Sequence, residues 1–278
     1  MKKCLSAEIR KAFGNKYFAF AVAFALVFVC MDIFAQSRFV LRVSNLPLAP
    51  GGYEGISLFA LWIMIACYSL GGFLLLYTWP MIAAMPYGWS YFSERKSGYA
   101  QQLIARCGKR TYLTSKFIAN FLAGGCALLI PVLFDLLAMA MICPTAMPLA
   151  TDLFTSINIG CIFSELYYTH PWIHSFLWCG MAFLWGGTAA TLCLAGSCIF
   201  KKSAFVTVFP FVLLLALSAI VNVIYGFVEI NVELAPLMLF SADPDGLNPW
   251  YVIFPEIALF LFGSLTMYLC HEKTHEFI

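Results

Sequence analysis

Six apolar stretches, each long enough to cross a bilayer, leave this chain little choice of fold. They run over residues 17–35, 58–85, 117–143, 176–200, 205–228 and 250–270. A membrane-spanning helix needs about 20 mainly apolar residues. Inside hydrocarbon every backbone N–H and C=O must be satisfied by the protein itself, which a helix does locally. The expectation is therefore an all-α integral membrane protein, six transmembrane helices in one transmembrane domain over residues 1–278. Charged residues make up only 11% of the chain, where soluble domains carry about 25%. The second and third stretches are long enough to tilt or to continue past the bilayer.

Orientation follows from Lys and Arg, which stay on the cytoplasmic side. With the N-terminus inside, Lys2, Lys3, Arg10, Lys11 and Lys16 precede the first span. Arg95, Lys96, Arg106, Lys109, Arg110 and Lys116 lie between the second and third. Lys201 and Lys202 follow the fourth, and Lys273 is in the tail. Only Arg38 and Arg42 are left outside, so both termini are expected in the cytoplasm. The outer segments are acidic instead, with Glu54, Asp152, Glu165, Glu229, Glu233, Asp243 and Asp245. The first stretch is too long for a signal-peptide core, and Ile33-Phe34-Ala35 is a poor cleavage site, so it reads as a retained span.

Within the spans, paired glycines (Gly71-Gly72, Gly124-Gly125, Gly186-Gly187) mark faces where helices can approach closely. Pro80, Pro131, Pro210 and Pro255 are expected to kink their helices. Most cysteines, such as Cys30, Cys67, Cys126, Cys179 and Cys193, sit in spans and read as small hydrophobes. Cys143 and Cys161 can pair if the outer face is oxidising. Asp32, Asp135 and Glu256 are intramembrane carboxylates and hence candidates for function. All three lie toward the outer leaflet, where roles in a vestibule or as helix caps compete with ion coupling. His170 and His174 sit four apart near Glu165, without the pattern of a zinc helix. Phe163, Tyr167, Tyr168, Trp172 and Trp178 suit an outer aromatic belt.

No catalytic triad and no phosphate-binding loop is present. Gly108-Lys109-Arg110-Thr111 lacks the upstream glycine, Leu103 standing in its place. The chain is expected to be no enzyme, with no metal or nucleotide cofactor of its own and no nucleic-acid partner.

Two basic segments remain. Residues 2–14 place Leu5, Ile9, Ala12 and Phe13 at helical spacing, away from Lys3, Arg10 and Lys11. This suits an amphipathic helix lying in the membrane interface; the competing reading is a charge cluster that only sets topology. Residues 90–106 suit a short amphipathic helix with Phe92, Tyr99 and Leu103 on one side. Glu94, Arg95, Lys96, Gln101 and Gln102 are its polar remainder, and Gly98 its weak point. A charge run that merely fixes topology is again the competing reading.

Glu94, Gly98, Leu103, Tyr112, Ser115 and Lys116 together form an acid, a glycine four later, an apolar helix and a tyrosine–x–x–serine–lysine entry into the next span. This pattern resembles the loop between spans two and three of type-2 ABC exporter permeases, as do the six spans and the N-terminal interfacial helix. Where that family usually has a proline before the basic pair, this chain has Cys107-Gly108. The resemblance implies a permease subunit of an ATP-driven exporter in a bacterial cell membrane, moving a lipid, peptide or drug-like substrate outward. It implies a coupling helix docked on a separate cytoplasmic ABC ATPase, which binds the ATP and Mg. It also implies a second permease subunit, the same or different. The coupling contacts would be Glu94, Arg95, Lys96, Gly98, Tyr99, Gln102 and Leu103. Two readings from other classes stand beside it: an ion-coupled secondary transporter using Asp32, Asp135 or Glu256, and a non-transport immunity or assembly protein.

Overall fold

The computed structural model describes residues 2–44, 57–66, 69–148, 157–242, 244 and 246–274. Glu54, Asp152, Asp243, Asp245 and Cys67 lie outside them. Among the described residues the chain is helical, with one isolated bridge between Val232 and Leu247. Its helices are α1 (Lys2–Phe13), α2 (Lys16–Ser44), α3 (Leu58–Leu61), α4 (Leu70–Ala84), α5 (Ser90–Lys96), α6 (Tyr99–Cys107), α7 (Lys109–Ile142), α8 (Ser164–Thr169), α9 (Pro171–Ile199), α10 (Ser203–Tyr225) and α11 (Trp250–Thr274).

Five of these, α2, α7, α9, α10 and α11, are long and apolar enough to cross a membrane. The central one is α9: 78% of its apolar window is buried in the protein, against 22% for α10 and for α11. α7 packs along it most extensively, and α4, α10 and α11 surround it. Glycines make the α7–α9 approach possible. A side chain at Gly124 would stand 2.7 Å from the Gly186 carbonyl oxygen of α9 and 2.8 Å from that of Ala83 in α4. Gly71 lies as tightly against the α2 backbone at Phe28 and Asp32.

The second expected span is not one helix. The described residues within 58–85 form the single turn α3, a bend over Trp62–Ala66, and α4, whose 15 residues reach only about 22 Å. That is short of a hydrocarbon core of about 30 Å. Apolar content does not enforce helical continuity; backbone satisfaction does, and here other parts of the protein supply it. Ile63 N–H donates to the Asp135 carboxylate at 3.0 Å. The Met64 carbonyl accepts from Ala242 N–H at 2.7 Å and from the Ser241 hydroxyl at 3.0 Å. Ser69 caps α4 by accepting from Gly72 N–H at 2.8 Å, and its hydroxyl donates to Asp32. No proline marks this bend. All four intraspan prolines, Pro80, Pro131, Pro210 and Pro255, lie inside helices that continue past them.

The bend has a partner. The chain between α10 and α11 carries a 3-10 turn at Met238–Phe240 that packs into the same core. Buried tryptophans secure its open carbonyls: Trp79 donates to Leu237 and Trp178 to Phe240, each at 3.2 Å. Two irregular segments thus sit against each other inside a cage of helices, where no lipid reaches their backbone.

Candidate functional site

At the basic end of the molecule, α1, α5 and α7 converge on one buried ammonium. Lys116 lies in the second turn of α7 with its side chain wholly buried. Its Nζ is 2.8 Å from Glu94 Oε2 and 3.1 Å from Glu8 Oε2, and it donates to the Tyr87 hydroxyl at 3.0 Å. An ammonium has three N–H groups, and these three partners account for them. Tyr87 donates onward to Glu8 Oε2 at 2.7 Å, and Tyr112 to Glu94 Oε2 at 2.6 Å. Lys11 closes the network, 2.9 Å from Glu8 Oε1 and 3.5 Å from Glu94 Oε1. Two carboxylates face two ammonium groups, and each carboxylate oxygen has a partner.

Such a cluster is stable only when fully paired, because an ion buried without its partner keeps its desolvation cost. Burial alone would raise the Glu8 carboxyl, but Lys116, with hydrogen bonds from Tyr87 and Lys11, holds it below the ordinary carboxylate value. Burial and the neighbouring Glu8 carboxylate push the Tyr87 hydroxyl far up, so it keeps its proton and remains a donor.

Local sequence explains the convergence. Cys4, Glu8 and Ala12 recur every four residues and form the buried stripe of α1, so Glu8 points into the protein from the middle of an apolar face. Asn15 fixes the elbow between α1 and α2. Its Nδ2 donates to the Pro86 carbonyl at 2.9 Å, beside Tyr87, and its Oδ1 accepts from Phe18 N–H at 2.8 Å.

The helix expected over residues 90–106 is two helices, because Gly98 takes a left-handed φ of 76°. Glu94 faces inward on α5. Arg95, Lys96, Tyr99, Gln102 and Arg106 are exposed. Leu103 is half-buried and packs on a small core that includes Tyr91, Tyr112, Leu194 and Tyr268. Gly98 itself has open space where a side chain would stand. The exposed faces of α5 and α6 are therefore bolted through Glu94 to α1 and to the longest helix in the chain.

The intramembrane acids are spread differently from the expectation of an ion path. Asp135 accepts from the Ile63 N–H in the bend after α3 and Asp32 from the Ser69 hydroxyl at the start of α4, while Glu256 lies apart on α11, half-buried. His170 precedes α9 as its N-cap residue, and His174 is buried between the rings of Tyr167 and Trp178. Among the described residues, no group of three or more His, Cys, Asp and Glu side chains gathers to hold a metal ion. Cys143 is a free, buried thiol, so no disulfide joins it to Cys161.

Glu8 is the functional candidate that sequence reasoning passed over. Its signal was available: an acid every four residues from Cys4 and Ala12, on the apolar stripe of a helix, calls for a buried cation. Comparison with family models, curated proteins and solved structures finds no match in any of the three.

Proposed function

We propose that this chain is the permease subunit of an ATP-driven exporter, driven by a separate ATPase that docks on α5 and α6. The observation that carries this reading is the Glu8–Lys116–Glu94 network. A surface that must pass force into a membrane needs a rigid footing, and paired buried charges provide one at both ends. Arg95, Tyr99, Gln102 and Leu103 would meet the ATPase, while Glu94 holds the docking surface rather than touching the partner. Movement of α5 would then reach α7 and α1 together and shift the helices that α7 packs against. On this reading the α1 end is cytoplasmic, the partner binds the nucleotide and its Mg, and a second permease subunit completes the path for a lipid, peptide or drug-like substrate. Asp135 holds the Ile63 N–H and Asp32 the Ser69 hydroxyl, structural contacts that favour this reading over ion coupling through them.

The test is recovery of the chain from its native membrane in mild detergent, with mass spectrometry and nucleotide photolabelling of whatever co-elutes. A stoichiometric soluble ATPase, lost from the double variant Tyr99→Ala/Gln102→Ala, is the expected result. Recovery of the folded chain alone would overturn the proposal.

A further inference from the structure

A cleft of about 610 Å3 opens at the same end of the molecule, between the start of α2, the end of α4, α5 and the start of α10. Its lining is divided by chemistry. Met81, Met85, Phe92 and Val208 make an apolar floor; Ser93, Lys96, Ser203 and Thr207 supply polar groups. None of the lining residues is acidic. The nearest carboxylate along α5, Glu94, is already taken up by Lys116, Lys11 and Tyr112.

Trp89 stands where the two halves meet. Tyr17 holds its ring edge-on, with centroids 4.9 Å apart. Its Nε1 is buried and has no hydrogen-bond partner among the described residues. Trp89 lines the cleft with its ring, its N–H shut away from solvent, beside the Lys96 ammonium and the hydroxyls of Ser93, Ser203 and Thr207. Donors without a carboxylate suit an anionic oxygen, and the floor suits hydrocarbon. Lys202 and Lys16 adjoin the lining residues Ser203 and Tyr17 in sequence and extend the positive rim. The cleft also lies at the ends of three apolar helices, the level at which a bilayer presents its headgroups.

We propose that this cleft binds an anionic phospholipid, its phosphate received by Lys96 and its hydrocarbon lying on Met81, Met85 and Val208 beside the Trp89 ring. The cleft shares α5 with the surface proposed for the ATPase, but lipid binding by the purified chain requires no ATPase.

The intact chain, purified in a neutral detergent, can be titrated with phosphatidylglycerol or phosphatidylcholine brominated on the acyl chains, with tryptophan fluorescence as the readout. The difference between the native chain and Trp89→Phe isolates the Trp89 signal. That signal should be quenched at a lower mole fraction of phosphatidylglycerol than of phosphatidylcholine. Lys96→Glu should weaken the preference by about fivefold or more, the scale of one interfacial cation on an anionic lipid. Arg106→Glu, at the same end but outside the cleft, should leave it unchanged. Thr207→Phe, which fills the cleft, should abolish the quenching of Trp89. Equal quenching by the two lipids would overturn the proposal, and so would an equal loss in Arg106→Glu. Gel filtration of each variant separates loss of lipid from loss of fold.

Discussion

Replacing Lys116 with methionine tests the buried network most severely. Methionine keeps an unbranched apolar stem, one atom shorter than lysine, and removes the charge with its three N–H donors. Glu8 and Glu94 would then share a single cation, Lys11, which is 2.9 Å from one and 3.5 Å from the other. Taking one partner out of a buried ion pair costs about 3–5 kcal/mol, or a melting shift on the order of 10 °C. The assay is thermal unfolding in micelles across a pH series, and the sign of the pH response is the sharper criterion. In the native chain the Glu8 carboxyl titrates below its usual value near 4.5. Its contribution is therefore complete above that value and is lost as pH falls through the lowered folded one. In Lys116→Met the two carboxylates repel, so acid should stabilise the variant over the range where the native chain weakens. Adding Glu94→Gln should recover part of the loss by restoring one acid to one base. A loss below about 1 kcal/mol, or the same acid trend in both proteins, would refute the reasoning.

Asp135→Asn keeps an acceptor for Ile63 N–H and should alter stability and export little, whereas Asp135→Leu removes that acceptor and should cost about 1–3 kcal/mol. Loss of transport in Asp135→Asn at full folded yield would favour ion coupling instead. Gly124→Ala would press a methyl group against the Gly186 and Ala83 carbonyls, and overpacking of that kind costs about 1–3 kcal/mol; Gly180→Ala, with nothing within 4 Å of its new atom, serves as the neutral control in the same thermal measurement. Gly98→Ala meets no neighbour but strains a left-handed backbone by about 1 kcal/mol, which should appear as faster hydrogen exchange and proteolysis confined to α5 and α6.

What the sequence reveals and what it hides divide along a physical line. Membrane class, α1 and the five long helices are visible because apolar length and helical spacing are local properties. The glycine pairs are legible too, since closeness leaves a compositional trace at Gly124 and Gly186. The bend after α3 is invisible for the opposite reason. Trp62, Ile63, Met64 and Ile65 are as apolar as any helix residues, and the groups that permit them to leave the helix come from Asp135, Ser241 and Ala242, far along the chain. Asp135 is recognisable as costly and therefore meaningful, but its partner is a backbone N–H, which no sequence displays. The basic stretch from Arg95 to Lys116 illustrates the same limit. Lys116 reads as one more positive charge at a membrane boundary until Glu8, in a different helix, is placed beside it.

The bend at Trp62–Ala66 also has a history in time. Synthesis proceeds from the N-terminus, so the insertion machinery meets residues 58–85 as a mainly apolar, uncharged run of 28 residues before Asp135 or Ser241 exists. The acceptor for Ile63 N–H arrives only with α7, and the donors to the Met64 carbonyl only after α10. The segment must therefore enter the membrane in one form and be remodelled in another as later helices assemble. Truncated chains ending before α7 should hold a long second helix that the finished protein does not have.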